Sequence, residues 1–149
     1  MRYNKTTSLT FGLLIMAGLS SPPAPAAGHG TDADALAHAA RQGHHLFIHE
    51  TFGGNGKTCN SCHSNGGKGP GKLPNGKPLP SLTNAAAIFP VYKAKLGHIV
   101  TLEDQIRRCI ANALKGTPPP YDSAEIRNLT VYITSLAEGT PINMGGKPR

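Results

Sequence analysis

Cys59, Cys62 and His63, in the stretch KTCNSCHSNGG, bring two thiols and an imidazole within five positions of a 149-residue chain. Soft sulfur and nitrogen donors at this spacing suit four chemistries. A structural zinc site needs a second close pair of Cys or His ligands, and the chain has none. A redox dithiol belongs at the strand-to-helix junction of a βαβ unit, a pattern that is absent here. A disulfide between Cys59 and Cys62 stays open as a short, strained loop. The fourth chemistry uses all three residues: C-x-x-C-H is the attachment motif of c-type haem, with each thiol added to one of two vinyl groups and the adjacent histidine as fifth iron ligand. The motif is therefore read as a haem c site, with Cys59, Cys62 and His63 binding the cofactor.

The N-terminus sets the compartment. Arg2 and Lys5 precede an apolar run, Leu9 to Leu19, and then a Ser/Pro/Ala tract in which Ala24 and Ala26 form an A-x-A cleavage site. This pattern predicts a signal peptide over residues 1–26, and a mature domain over 27–149 with its core at about 32–139, exported to the periplasm. The apolar run is shorter than the ~20 residues a membrane span requires, so no stable insertion is expected after cleavage. Cleavage removes Arg2 and Lys5 from a formal charge of +7 and leaves +5. That balance favours acidic partners or small anions. Nucleic acid is excluded as a partner because no basic stripe interleaves with aromatics and export removes the usual target.

Few aromatics, no tryptophan, and 18 glycines and 13 prolines in the full chain make a thin core for a domain of about 120 residues, which a large apolar prosthetic group would fill. The periodicity predicts an all-α class with long Gly/Pro-rich loops around one covalently bound haem. A first helix begins at Asp32 as N-cap, with Leu36, Ala39, Ala40, Gly43, Leu46 and Phe47 inward, and ends before Gly53. The segment from Ser64 to Leu82 reads as irregular chain that needs something to wrap. A short helix is expected to break before Pro90, and no strand alternates convincingly.

The clearest helix is TLEDQIRRCIANALKG. Thr101 caps it, Asp104 completes a capping box and Gly116 stops it. Leu102, Ile106, Cys109 and Ala113 share one face, widened by Ile110 and Leu114, so Cys109 points inward. A last helix starts at Asp122 and buries Ile126, Leu129, Ile133 and Leu136. With Cys59 and Cys62 used as thioethers, Cys109 is an odd cysteine in an exported chain. It is the favoured sixth iron ligand, although a small buried hydrophobe fits the same pattern. Met144, in the segment after the last helix, and His98 are the weaker alternatives. His45 and His49, one turn apart, form a possible adventitious metal pair. Arg107 and Arg108 have an ordinary reading as i, i+4 partners of Glu103 and Asp104, worth ~0.2–0.5 kcal/mol each.

The first helix, the C-x-x-C-H site, the Gly/Pro loop and the last helix together resemble the class I cytochrome c fold, in which the first and last helices cross. The segment from Phe89 to Gly116 also resembles the part of diheme thiosulfate dehydrogenases and related sulfur-oxidation cytochromes that carries a distal cysteine. The shared features are the Phe-Pro-x-Tyr start at Phe89, the Thr-Leu-Glu-Asp helix opening at Thr101, and Arg108 before Cys109. The resemblance implies a His63/Cys109 axial pair, with Arg108 and Arg107 as anion-binding candidates. If the chain is an enzyme, it implies Cys109 and Arg108 as catalytic residues acting on an inorganic sulfur anion. This chain has one C-x-x-C-H where those dehydrogenases have two, so the leading expectation is a monohaem single-electron carrier. The enzyme, or enzyme subunit, is the alternative, and a haem-based small-gas binder is a further one should Cys109 not ligate. Lys57, Lys68, Lys72 and Lys77 are expected to form a positive rim facing an acidic redox partner.

Overall fold

The computed structural model describes residues 31–149, so the predicted signal peptide lies outside the described residues. Among the described residues, four helices carry the fold: α1 (Asp32–His49), α2 (Ala85–Ile88), α3 (Leu102–Asn112) and α4 (Ala124–Ser135). Short 3₁₀ turns at Cys59–Ser61 and Asn65–Gly67 form the attachment loop. Two small antiparallel ribbons complete it, β1 (Gly71–Lys72) with β2 (Pro78–Leu79), and β3 (Val91–Lys93) with β4 (His98–Val100). The class is mostly helical, as expected. The ribbons were missed because three residues cannot show alternation: Val91 and Val100 face inward opposite each other, while Tyr92 and Ile99 face out. Among the described residues, no helix is long and apolar enough to cross a membrane.

α1 and α4 cross, and the contact is made at Gly43. A Cβ there would collide with the backbone carbonyl of Asn128 and sit 2.7 Å from the Cβ of Tyr132, so only glycine lets the helices approach this closely. Phe47 and Gly43 are buried as predicted, but Leu36 is 58 % exposed. It belongs to the N-terminal turns of α1, and the hydrophobic residues packed with Phe47 in the core begin only at Leu46. The N-cap of α1 is Thr31 rather than Asp32, in a reciprocal capping box with Asp34, and α4 is capped by Ser123 rather than Asp122.

α3 has the predicted Thr101–Asp104 capping box and buries Ile106 and Ile110, with Leu114 just beyond its end. Its stop differs from expectation. Lys115, not Gly116, takes the left-handed backbone conformation. Gly116 is needed for close approach instead, because a Cβ would lie 2.6 Å from the Phe52 carbonyl oxygen. The core joins Phe47, Ile106, Ile110, Ile126, Leu129, Tyr132 and Ile133 across α1, α3 and α4.

Candidate functional site

The loop after α1 folds Cys59, Cys62 and His63 onto one side of a cavity. The Cys62 and His63 amides both donate to the Cys59 carbonyl, at 3.2 and 3.0 Å, which winds the motif into a single turn. Thr58 and Ser61 cap that turn reciprocally, and the Asn60 side chain accepts from the Gly66 amide at 2.9 Å. From α4, the Tyr132 hydroxyl donates to the Gly66 carbonyl at 2.7 Å. Phe47 packs on both partners of this arrangement, with ring centroids 6.4 Å from His63 and 5.5 Å from Tyr132.

The cavity holds about 590 Å³ and is mainly apolar. Phe47, Ala85, Ile88, Leu129 and Ile133 line it from the helices, and Leu73, Leu79, Pro80 and Leu82 from the irregular segment, which thus wraps a space as its composition suggested. α3 contributes Leu102, Gln105, Ile106 and Cys109. The sequence-predicted set of Cys59, Cys62, His63 and Cys109 therefore meets in one cavity, although 46 positions separate His63 from Cys109.

The electrostatics suit a large apolar metal complex. Burial, then the nearby Cys109 and Cys62 sulfurs, pushes the Cys59 thiol up to about 12. Burial likewise raises Cys109, opposed first by a hydrogen bond from the Gln105 side chain at 3.3 Å. Burial lowers His63, so its imidazole is neutral at neutral pH and has a lone pair to give. The Nδ1 atom of His63 is buried without a hydrogen-bond partner. No disulfide joins Cys59 to Cys62, so that alternative is not formed. Among the described residues, no three His, Cys, Asp or Glu side chains gather into a site for a bare metal ion. Two thiols beside an orphaned imidazole, facing an apolar cavity of this size, fit a covalently attached haem.

The alternative distal ligands are placed elsewhere. His98 is exposed and its ring bonds the Leu96 carbonyl at 3.0 Å. Met144 is 67 % exposed, yet the segment holding it is not loose. The Asn143 and Gly145 amides donate to the Ala87 and Ile88 carbonyls, at 2.7 and 2.9 Å. Asn84, only 5 % exposed, donates to the Lys147 carbonyl at 3.0 Å and accepts from the Arg149 amide at 3.1 Å. Gly145, Gly146 and Pro148 thereby become part of the cavity wall while the Met144 side chain turns outward. The His45 and His49 rings lie 4.8 Å apart, tilted to each other, on the exposed side of α1.

An outer groove of about 480 Å³ adjoins the cavity across α3, and Gln105, Cys109 and Ala113 line both. Arg108, Lys93 and Lys95 give it a positive lining. Arg107 does not reach it. Its guanidinium lies 4.2 Å from the centre of the Tyr121 ring and reaches the Pro118 carbonyl. Tyr121 also donates to Asp104 at 2.7 Å, so this aromatic residue, unnoticed in the sequence, replaces the expected i, i+4 ion pairs. Lys93 is the lysine lining the cavity; Lys57, Lys68, Lys72 and Lys77 do not line it.

Residues 42–142 match the family model for the cytochrome c domain of SoxA and TsdA. The chain belongs to this family. It is a c-type cytochrome domain, with haem c as its covalently bound cofactor. Over 114 residues, 73 % of this chain and 35 % of the relative, the cytochrome domain is 28 % identical to a thiosulfate dehydrogenase of Stutzerimonas stutzeri. Over 91 residues it is 30 % identical to a thiosulfate dehydrogenase of Allochromatium vinosum, covering 61 % of this chain and 33 % of that one. The chain thus spans about a third of the length of these relatives. A solved thiosulfate dehydrogenase (TsdBA) from Marichromatium purpuratum superposes with a TM-score of 0.58 at 24 % identity, over 87 % of this chain and 28 % of that one. SoxXA from P. pantotrophus gives 0.58 at 20 % identity, over 76 % and 38 %. These two likenesses concern the fold.

Proposed function

We propose that the cytochrome domain is an exported, periplasmic monohaem electron carrier in which Cys59 and Cys62 hold the haem covalently and His63 and Cys109 are its axial ligands. The observation that carries this reading is the lining of one apolar cavity by all four residues. When bound, the haem supplies a one-electron iron couple. The protein's part is to hold His63 neutral, keep the Cys109 sulfur at the cavity wall, and exclude water with Phe47, Ile88, Leu129 and Ile133. A thiolate ligand donates charge to ferric iron, so the potential lies well below that of a His/Met cytochrome. The positive surface beside Tyr92, Lys93 and Lys95 favours a redox partner with an acidic docking face. Attachment is tested by mass spectrometry of denatured protein. One covalent haem per chain is expected, weakened in Cys59→Ala or Cys62→Ala and lost in the double variant; covalent haem persisting in the double variant contradicts the assignment.

A second reading follows from the outer groove, whose lining by Arg108, Lys93, Lys95 and Cys109 suits a small sulfur anion next to the proposed iron ligand. The names of the curated relatives make thiosulfate the first anion to try. Joining two thiosulfates through a new S–S bond gives tetrathionate and releases two electrons, whereas one haem accepts one. A lone domain would have to meet its acceptor twice per turnover, which favours the carrier. Rapid tetrathionate formation with an added acceptor, lost in Cys109→Ala and impaired in Arg108→Ala, would place the enzyme reading first.

A further inference from the structure

Gln105 stands one helical turn before Cys109 on α3, and its Nε2–H donates to the Cys109 Sγ across 3.3 Å. Both side chains line the cavity and the outer groove, so the contact lies in the partition between them. The helix keeps the two residues in register: the Thr101–Asp104 capping box fixes its start, and Ile106 and Ile110 anchor its buried face. A hydrogen bond to a ligating sulfur draws on the lone-pair density that the sulfur would otherwise give to iron. Donation to the ferric state weakens, and the potential rises.

Resting on the Cys109 ligation proposed above, we infer that Gln105 is a positioning and tuning residue, which orients the Cys109 sulfur and holds the potential above that of an unassisted thiolate. The residue type fits the task. A neutral amide donates without adding charge to the cavity, whereas glutamate would set a second negative charge beside the sulfur and leucine would give nothing. The spacing was present in the sequence, but only the folded chain shows which way the amide turns.

The test compares the full-length holoprotein with its Gln105→Leu, Gln105→Glu and Cys109→Ala variants and with the Gln105→Leu/Cys109→Ala double variant. The readouts are reduction potential and the sulfur-to-iron charge-transfer band of the ferric state at pH 7. Both single Gln105 variants should retain a low-spin ferric haem, with the potential shifted negative and the band moved to longer wavelength. The leucine shift should vanish in the double variant. A spectrum changed by Cys109→Ala, with potential and band unmoved in both Gln105 variants, overturns the role of Gln105 and leaves ligation standing. So does a leucine shift that persists without Cys109. A spectrum unchanged by Cys109→Ala removes the ligation reading, and this inference with it. Gln105→Glu preserves size and polarity and keeps the test decisive if Gln105→Leu yields too little holoprotein.

Discussion

The Tyr132 hydroxyl donates to the Gly66 carbonyl in a buried 2.7 Å hydrogen bond, three residues beyond His63. The ring that carries it packs against His44 and Phe47 of α1, at 5.0 and 5.5 Å. The helix crossing and the attachment loop are thus parts of one construction. Replacing Tyr132 by Phe keeps the ring and leaves the Gly66 carbonyl without this donor, at a cost of about 1–3 kcal/mol. A lowered unfolding midpoint is expected, with faster hydrogen exchange in the loop after His63. Unchanged exchange there would show that the loop does not depend on α4.

Gly43→Ala tests the crossing itself. Alanine improves helix propensity by ~1 kcal/mol, but its methyl would meet the Asn128 backbone, which cannot swing aside. Overpacking of this kind costs about 1–3 kcal/mol. Denaturant titration should show a net loss of stability, and a gain would mean the helices separate at little cost.

Asn84→Ala removes both bonds that latch the 147–149 stretch. Hydrogen exchange at the Asn143 and Gly145 amides, which cover the edge of the cavity, is expected to quicken. If those amides exchange as before, their own bonds to Ala87 and Ile88 hold the strap without the latch.

Lys93 and Lys95 belong to a stretch, residues 51–102, with six lysines and no acidic residue. Charge reversal at both positions should slow electron transfer to anionic ferricyanide and speed it to cationic hexaammineruthenium. Both effects should fade as added salt shortens the Debye length to about 10 Å and below. Equal rates for wild type and the Lys93→Glu/Lys95→Glu variant would mean that electrons leave by another face.

What the sequence reveals of this site is what local rules control. The C-x-x-C-H motif is contiguous, and the inward direction of Cys109 follows from helical spacing and a capping box within α3. The crossing was legible only in part: Gly43 fell on the right face, but nothing local marks where the packed part of α1 ends, so Leu36 was placed inside. Neither Asn84 as the latch of the C-terminal strap nor Lys93 as a cavity residue was legible at all. Asn84 meets its partners 63 and 65 positions away, and Lys93 reaches the cavity wall through the three-residue strand β3.

The most direct measurement for the central claim is the low-temperature electron paramagnetic resonance spectrum of the ferric holoprotein beside its Cys109→Ala variant. A His63/Cys109-ligated haem predicts a low-spin thiolate signal in the wild type. The variant should be high-spin, or bear the signal of a substitute ligand, and have a more positive reduction potential. Identical spectra and potentials would contradict the account, leaving Cys109 as part of the apolar wall.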